Sequence, residues 1–292
     1  MNFIFIVNPV SGNKKSLQAI KAIEEYCKII GVRYKIIYTR EKGDATEVAN
    51  YFKDQSLTTV FSVGGDGTLN EVVNGLVNSS AKLGVVPTGT GNDFYKTFKD
   101  LKTDMIDVGL VNDKYFINIA SLGLDAEIAN YSNILKKHNL HIPNKLVYVL
   151  SIFKEYFKYK PISIGVDNKQ KDTTILTICN AKYYGGGFNI NPNAILDDGK
   201  FDIVDVDYLN KLEILGLIKK LIKVKHLQSN KVNFYRTDSI DVNSLIPLNC
   251  KIDGEIIKNT NFDFSVVRNG LLLDTDNSKI INDFLKIKKI IK

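Results

Sequence analysis

The stretch from Thr58 to Leu76, TTVFSV followed by GGDGTLNEVVNGL, constrains the fold more than any other. TTVFSV is β-branched and apolar without polar alternation, the composition of a strand buried in a parallel sheet. Beyond the glycines, Leu69, Val72, Val73 and Leu76 recur at helical spacing. Strand, glycine turn and helix form the unit of an α/β sheet, and such a turn aims backbone N–H groups and the positive end of the helix dipole at one point. That point suits a phosphate. Gly64, Gly65 and Gly67 allow close backbone approach, and Thr68 supplies a hydroxyl at the start of the helix. Asp66 does not suit a bare phosphate, because the two anions repel unless a cation lies between them. It points to Mg²⁺ held through water; a helix-capping role for Asp66 is the alternative at this stage.

Residues 1 to 120 repeat the unit. FIFIVN, YKIIYT, TTVFSV and LGVVP read as strands, and LQAIKAIEEYCKII, ATEVANYF and LNEVVNGLV as helices between them. A parallel sheet of this kind binds ligands at the carboxyl ends of its strands. Three polar or glycine-rich turns fall at those ends: Asn8-Pro9-Val10-Ser11-Gly12, Gly64 to Thr68, and Pro87 to Asp93. No G-x-x-x-x-G-K-[ST] occurs, and the nearest approach to G-x-G-x-x-G, Gly89 to Phe94, has phenylalanine in place of the last glycine. Neither a P-loop nor a dinucleotide fingerprint accounts for the turns.

From 121 to 274 the texture becomes β-rich. One helical stretch around KLVYVLSIFKEYFKY precedes SIGVD, TTILTICNAK, FDIVDVD, VNFYR, SIDV, NCKID, NFDFSVV and GLLLDT, with another helix from about 211 to 225. The expected architecture is an α/β nucleotide-binding domain followed by a β-rich sandwich domain, with residues 275 to 292 as a helix packing back on the first domain. MNFIFIVN reads as a first strand and not as a signal peptide, and no apolar run approaches the roughly 20 residues that span a bilayer. Cys27, Cys179 and Cys250 imply no disulfide framework and fit a reducing, cytoplasmic setting. Three histidines, His138, His141 and His226, argue against a His-rich metal centre or a His-based triad. The net charge of +7 would attract nucleic acid or an anionic membrane surface, and charge alone does not choose.

Six segments in order, NPVSG, GGDGTLNEVVNGL, PTGTGNDF, SLGLDAEIA, CNAKYYGGGFNINPNAILDDGKFDI and KIDGE, resemble the diacylglycerol kinase catalytic family, in particular its soluble bacterial lipid kinases, relatives of the sphingosine and ceramide kinases. The resemblance implies an ATP-binding domain, a lipid-binding β-sandwich and a cleft between them. By position it assigns ATP to Asn8, Pro9, Val10, Ser11, Gly12, Thr39, Gly64, Gly65, Asp66, Gly67, Thr68, Leu69, Asn70 and Thr90. Asn92 and Asp93 belong to the same nucleotide set, with Asp66 and Asp93 supporting metal-bound phosphate. Asp253 and Glu255 match the acidic pair from which the catalytic base is drawn, and Ile195, Asp198 and Lys200 match a loop holding a structural Mg²⁺, the first and third through their backbone carbonyls. Partners implied are a lipid substrate at the inner membrane face and no nucleic acid; oligomeric state stays open, a homodimer included.

The chemistry needs few groups. Phosphoryl transfer to an alcohol requires neutralised phosphate charge, an aligned hydroxyl and a carboxylate to take the proton late. An ordinary β-turn is the other reading of Asp253-Gly254-Glu255. A kinase of a soluble metabolite, like the NAD kinases that share a G-G-D-G-T turn, and a non-catalytic nucleotide-binding regulator are the rival functions. In Leu212 to Leu227, Ile214, Leu217, Ile218, Leu221 and Ile222 lie beside Lys219, Lys220, Lys223 and Lys225. The pattern fits a helix on anionic lipid, or a core-facing helix with a solvated lysine face.

Overall fold

The computed structural model describes residues 2–137 and 144–291; His138, His141 and the terminal Lys292 lie outside them. The first sheet contains β1 (Asn2–Val7), β2 (Arg33–Tyr38), β3 (Thr58–Gly64) and β4 (Lys82–Pro87), all parallel, in the order β2-β1-β3-β4. Between them run α1 (Lys15–Ile30), α2 (Asp44–Phe52) and α3 (Asp66–Leu76), and α4 (Asp93–Phe98) follows β4. β3 is buried at every position, which is why its sequence shows no alternation. Its two faces feed two cores. Val60 packs with Ile4, Ile6 and the α3 residues Leu69, Val72 and Leu76; Phe61 packs with Phe3, Phe5 and the α1 residues Ala19, Ile23 and Cys27.

The second sheet begins earlier than residue 121. β5 (Met105–Val111) and β6 (Lys114–Phe116) already pair within it. They are followed by β7 (Ile119–Gly123), α5 (Leu124–Lys137), α6 (Asn144–Lys158), β8 (Ile162–Val166), β9 (Lys169–Cys179), the short hairpin of β10 (Tyr183–Tyr184) and β11 (Phe188–Asn189), β12 (Phe201–Asp207), α7 (Lys211–Ile222), β13 (Val232–Thr237), β14 (Ser239–Ile252) and β15 (Glu255–Leu272). The order is β13-β12-β9-β7-β14-β15-β5-β6, with β8 pairing both β9 and β14. Because β7 and β8 join the same two strands at different heights, the sheet folds over itself. It encloses a core of Phe116, Leu122, Leu176, Phe201, Phe262 and Phe264, a sandwich-like closure.

SIDV and NCKI are the two ends of β14, and NFDFSVV and the first residues of GLLLDT, through Leu272, lie within β15. The breaks between them are register shifts at Asn243/Leu248 and Val267/Leu271, not chain reversals.

The last helix, α8 (Thr275–Ile287), lies on the first domain, where Ile281 and Leu285 enter the core beside α1. Its N-cap Asp274 accepts a bond from the Thr59 hydroxyl (2.6 Å), Ser278 Oγ accepts from Val85 N–H (3.1 Å), and Asn282 Nδ2 donates to Val85 O (2.8 Å). The chain thus passes between the sheets twice. The two passages touch, since Leu273 N–H donates to Asp104 O (2.6 Å) and the Thr275 hydroxyl to the Asp104 carboxylate.

Candidate active site

The three turns at the carboxyl ends of β1, β3 and β4 meet as expected, and their backbones touch. A Cβ on Gly89 would lie 2.3 Å from Gly65 Cα, so that position has no room for a side chain, and one on Gly65 would lie 3.2 Å from Gly89 Cα, a tight contact. Gly89→Ala is expected to lower stability by about 1–3 kcal/mol, the cost of overpacking, and to weaken nucleotide binding because the third turn must shift. A thermal melt with and without nucleotide checks both; an unchanged melt would show that the two turns can separate freely.

Asp66 is the first residue of α3, and it does not cap that helix, whose N-cap Gly65 provides no side-chain bond. Instead Asp66 Oδ1 accepts the N–H groups of Asp93 (2.6 Å) and Phe94 (3.4 Å), capping α4 from another turn. Asn92, left-handed at φ +51°, braces the third turn through Nδ2 to Gly89 O (2.8 Å) and Pro87 O (3.3 Å). Asn8 ties the first turn to the second, Nδ2 to Thr68 Oγ1 at 3.2 Å.

The residues expected to hold nucleotide divide. Asn8, Pro9, Val10, Thr39, Gly67 and Thr68 line one cavity of about 350 Å³ with Arg40, Glu41, Lys42 and Glu71. Gly64, Gly65 and Asn92 shape the turns, Ser11 and Gly12 lie on the first turn against the other two, and Thr90 is exposed. Leu69 is a core residue, and Asn70 bridges to the second sheet. The uncapped start of α3 opens on this cavity.

A second cavity, about 150 Å³, gathers Asp66, Asp93 and Asp253 from three segments, with Asn118, Tyr183, Tyr184, Gly185, Lys251 and Gly254. Burial, and next the charge of Asp93, push the Asp66 carboxyl up to about 6. Asp93 spends both oxygens on positioning: Lys96 Nζ (2.8 Å) on one, Gly186 N–H (2.8 Å) on the other. Gly185, Gly186 and Gly187 are all at positive φ, a path that side chains would oppose, and this path carries the Gly186 N–H across to the first domain. Asn118 Oδ1 is buried here without a partner, an acceptor awaiting a donor. Lys251, also buried, lines the same cavity with Nζ 3.8 Å from the Tyr184 ring centre. Sequence reasoning passed over Asn118, Tyr184 and Lys251. Lys251 stood two residues before Asp253, in a segment already singled out.

Asp253-Gly254 is a two-residue hairpin turn closing β14 onto β15, with φ +46° and +99° and Ile252 paired to Glu255. The two carboxylates therefore do not share a strand face. Asp253 points inward: Oδ1 accepts from Asn118 N–H and Ile119 N–H (3.0 Å each), Oδ2 from Ile117 N–H (2.7 Å) and Asn70 Nδ2 (3.1 Å). Burial raises its carboxyl while these donors lower it, and the net shift is upward. With four donors on its two oxygens, Asp253 pins the turn to α3. Glu255 points the other way, into a third cavity of about 280 Å³ shared with Lys42, Asn70, Glu71, Asn74 and Lys114. It pairs with Lys42 at 2.7 Å and Lys114 at 3.6 Å. Lys42 and Glu71 line both this cavity and the first, so the two adjoin.

In the loop expected to hold a structural Mg²⁺, the carboxylate is engaged by the protein itself. Asp198 Oδ1 accepts Lys200 N–H (3.1 Å), and its Oδ2 faces Arg236 Nη1 (3.4 Å). Arg236 Nε also donates to Asp202 (2.6 Å), so a guanidinium stands beside Asp198. Among the described residues no group of three or more His, Cys, Asp or Glu side chains could hold a metal ion by itself. A phosphate-borne Mg²⁺ is a different case. Asp66 Oδ2 makes no hydrogen bond among the described residues, and one carboxylate oxygen completed by phosphates and water suits that ion.

Residues 2–112 match the model of the diacylglycerol kinase catalytic domain, and residues 118–273 that of the YegS C-terminal NAD kinase beta sandwich-like domain. The chain is 27% identical to a diacylglycerol kinase of Staphylococcus haemolyticus over 86% of its own length and 81% of that relative. It is also 27% identical to one of Bacillus subtilis, over 86% and 88%. A crystal structure of a putative diacylglycerol kinase from Bacillus anthracis str. Sterne shares the fold, at a TM-score of 0.71, 23% identity and coverage of 93% of this chain and 94% of that one. With both halves matched in order, the chain belongs to the diacylglycerol kinase catalytic family, whose members are phosphotransferases with an alcohol group as acceptor.

Proposed function

We propose that this protein transfers the γ-phosphoryl group of ATP to the hydroxyl of diacylglycerol or a related lipid, giving phosphatidic acid or its analogue, from the cytoplasmic face of a membrane. The observation that carries the reading is the adjoining pair of cavities. One lies at the uncapped start of α3, and the other holds Glu255. A nucleotide in the first, its phosphates over Gly67 and Thr68, would present the γ-phosphate to an acceptor in the second.

Each residue then has a task. The N–H groups at the start of α3 hold phosphate oxygens, and Asp66 orients the ion that arrives with them. Mg²⁺, when bound, would neutralise charge on the transferred group. Lys42 reaches the nucleotide cavity from its pairing with Glu255, so it couples donor and acceptor sites. Glu255 receives the hydroxyl proton as the new P–O bond forms, and ADP departs with the electrons of the broken bond. No helix among the described residues is long and apolar enough to cross a membrane.

Incubation of the protein with labelled ATP and Mg²⁺ against diacylglycerol, sphingosine, ceramide and NAD, followed by separation of products, tests the reading. Label in diacylglycerol or another lipid is expected. Label only in NAD would replace it with a soluble-metabolite kinase, and nucleotide binding with no transfer to any acceptor would replace it with a regulator.

A further inference from the structure

α7 is apolar on two sides. Its inner stripe, Ile214, Leu217 and Leu221, meets the protein: Ile214 is buried and Leu217 joins the cluster with Tyr184, Ile190 and Val204. That stripe is all a core-facing helix requires. A second stripe remains in solvent, with Leu212 79%, Leu215 45%, Ile218 39% and Ile222 65% exposed. α6 repeats the arrangement. Ile152 and Tyr156 face the same cluster, while Leu150, Phe153 (58%) and Phe157 (66%) lie outside at helical spacing. The end of α6 meets the start of α7: Tyr156 Oη donates to Lys211 O (3.0 Å), Lys211 Nζ donates to Phe157 O (2.9 Å), and the Lys211 ammonium stands 5.8 Å from the Phe157 ring centre. The two outer stripes are thereby neighbours.

Lysine surrounds this surface. Segments 150–160 and 208–226 contain Lys154, Lys158, Lys160, Lys211, Lys219, Lys220, Lys223 and Lys225 against Glu155 and Glu213 alone, most of the chain's net +7. Two copies meeting face to face would bring like charges together, so self-association does not explain the stripes. Exposed aliphatic and aromatic side chains ringed by ammonium groups complement an anionic bilayer, in which the apolar groups enter the acyl boundary and the lysines stay among the headgroups. We infer that the outer faces of α6 and α7 are the surface by which this protein sits on an anionic membrane. The position suits the site. α7 packs on β11, whose hairpin carries Tyr183, Tyr184 and Gly185 into the acidic cavity, and Phe188 of that hairpin is itself 40% exposed. The inference rests on the lipid-kinase reading for its purpose, not for its evidence.

The test is co-sedimentation of the full chain with vesicles of phosphatidylcholine alone or with phosphatidylglycerol, lacking diacylglycerol and ATP. Binding to the anionic vesicles is expected. Leu212→Ser with Ile222→Ser should weaken it at least about tenfold at every salt concentration, since each exposed aliphatic side chain contributes on entering the acyl region. Lys219→Gln with Lys220→Gln should weaken it at low salt and much less at high salt. Ile29→Ser, equally exposed on α1, should change nothing. All five side chains replaced are exposed, so melting temperatures should stay put. Wild-type binding by the Leu212/Ile222 variant, or no binding by the wild type, overturns the proposal. Phosphorylation is measured separately on short-chain diacylglycerol in detergent micelles: membrane binding without phosphorylation sinks the kinase reading and leaves the surface, and phosphorylation without membrane binding does the reverse.

Discussion

Asp66→Asn is expected to abolish turnover and at the same time to raise the melting temperature at neutral pH. The carboxyl is pushed up to about 6, well above the ordinary range of an aspartate, because it is buried beside Asp93, so at pH 7 the folded protein holds a charge that the unfolded chain carries more easily. The sign follows from proton counting. Between about pH 4 and 6 the folded state binds the extra proton, so this group lets stability rise as pH falls through that window and costs about 2–3 kcal/mol above it. An asparagine keeps an oxygen for the Asp93 and Phe94 N–H groups and removes the charge, whereas alanine would also uncap α4. Turnover should fall by a hundredfold or more, because the amide cannot draw in a cation beside the phosphates. Melting curves at pH 4 and 7.5 with parallel rate measurements decide the matter. Identical melting at both pH values would mean Asp66 carries no strained charge, and near-normal turnover would remove it from the phosphate site.

Glu255→Gln and Asp253→Asn should part company. The first leaves the fold alone, since Glu255 is a rim residue paired with Lys42 and Lys114, and should lower kcat by about 10²–10⁴ while the nucleotide dissociation constant stays close to wild type. The second should unfold the protein readily. Asp253 receives four N–H groups and donates to none, so an amide NH₂ in its place would face N–H donors at one oxygen position. A loss of about 3 kcal/mol or more is expected, visible in a denaturant titration before any kinetic assay. Full stability of Asp253→Asn with a lost kcat would transfer the proton to that carboxylate.

The contrast between these residues shows what the sequence could and could not express. β-branched runs and glycine turns report local backbone demands, so the parallel sheet and the meeting of three turns at one rim were readable from Phe3, Val60 and Gly64 onward. Asp-Gly is a hairpin signal of the same local kind, but the roles of Asp253 and Glu255 depend on donors at Asn70 and 117–119 that reach them through space. Arg236 and Asp198 illustrate the same limit: they lie far apart along the chain, and only strand pairing of Asp202 with Arg236 puts a guanidinium where a metal was expected. The long strands β14 and β15 were hidden by polar residues that mark bulges, which periodicity alone cannot tell from turns. For α7, counting apolar positions found the amphipathic pattern, but a helix with apolar residues on two sides has one stripe too many for the core, and only solvent exposure separates them.

The contact at Asp104 sets how the two halves can move. A domain joined by one strand of chain can twist and swing in any direction; one joined by two strands bonded to each other, Leu273 to Asp104, has fewer ways to move, and here the two units also share a core of Leu69, Phe94, Phe98, Ile106, Val108 and Leu271. Among the described residues the fastenings between them include Asn70 to Asp253, Asn70 and Asn74 to Tyr115, Asp93 to Gly186, Thr97 to Lys182, and Lys42 to Glu255. Of these only Lys42 to Glu255 is a solvent-facing ion pair, the weakest kind and the first to let go. The glutamate proposed to take the substrate proton is thus also one of the groups that fasten the two domains together, so its ion pair with Lys42 bears on both tasks.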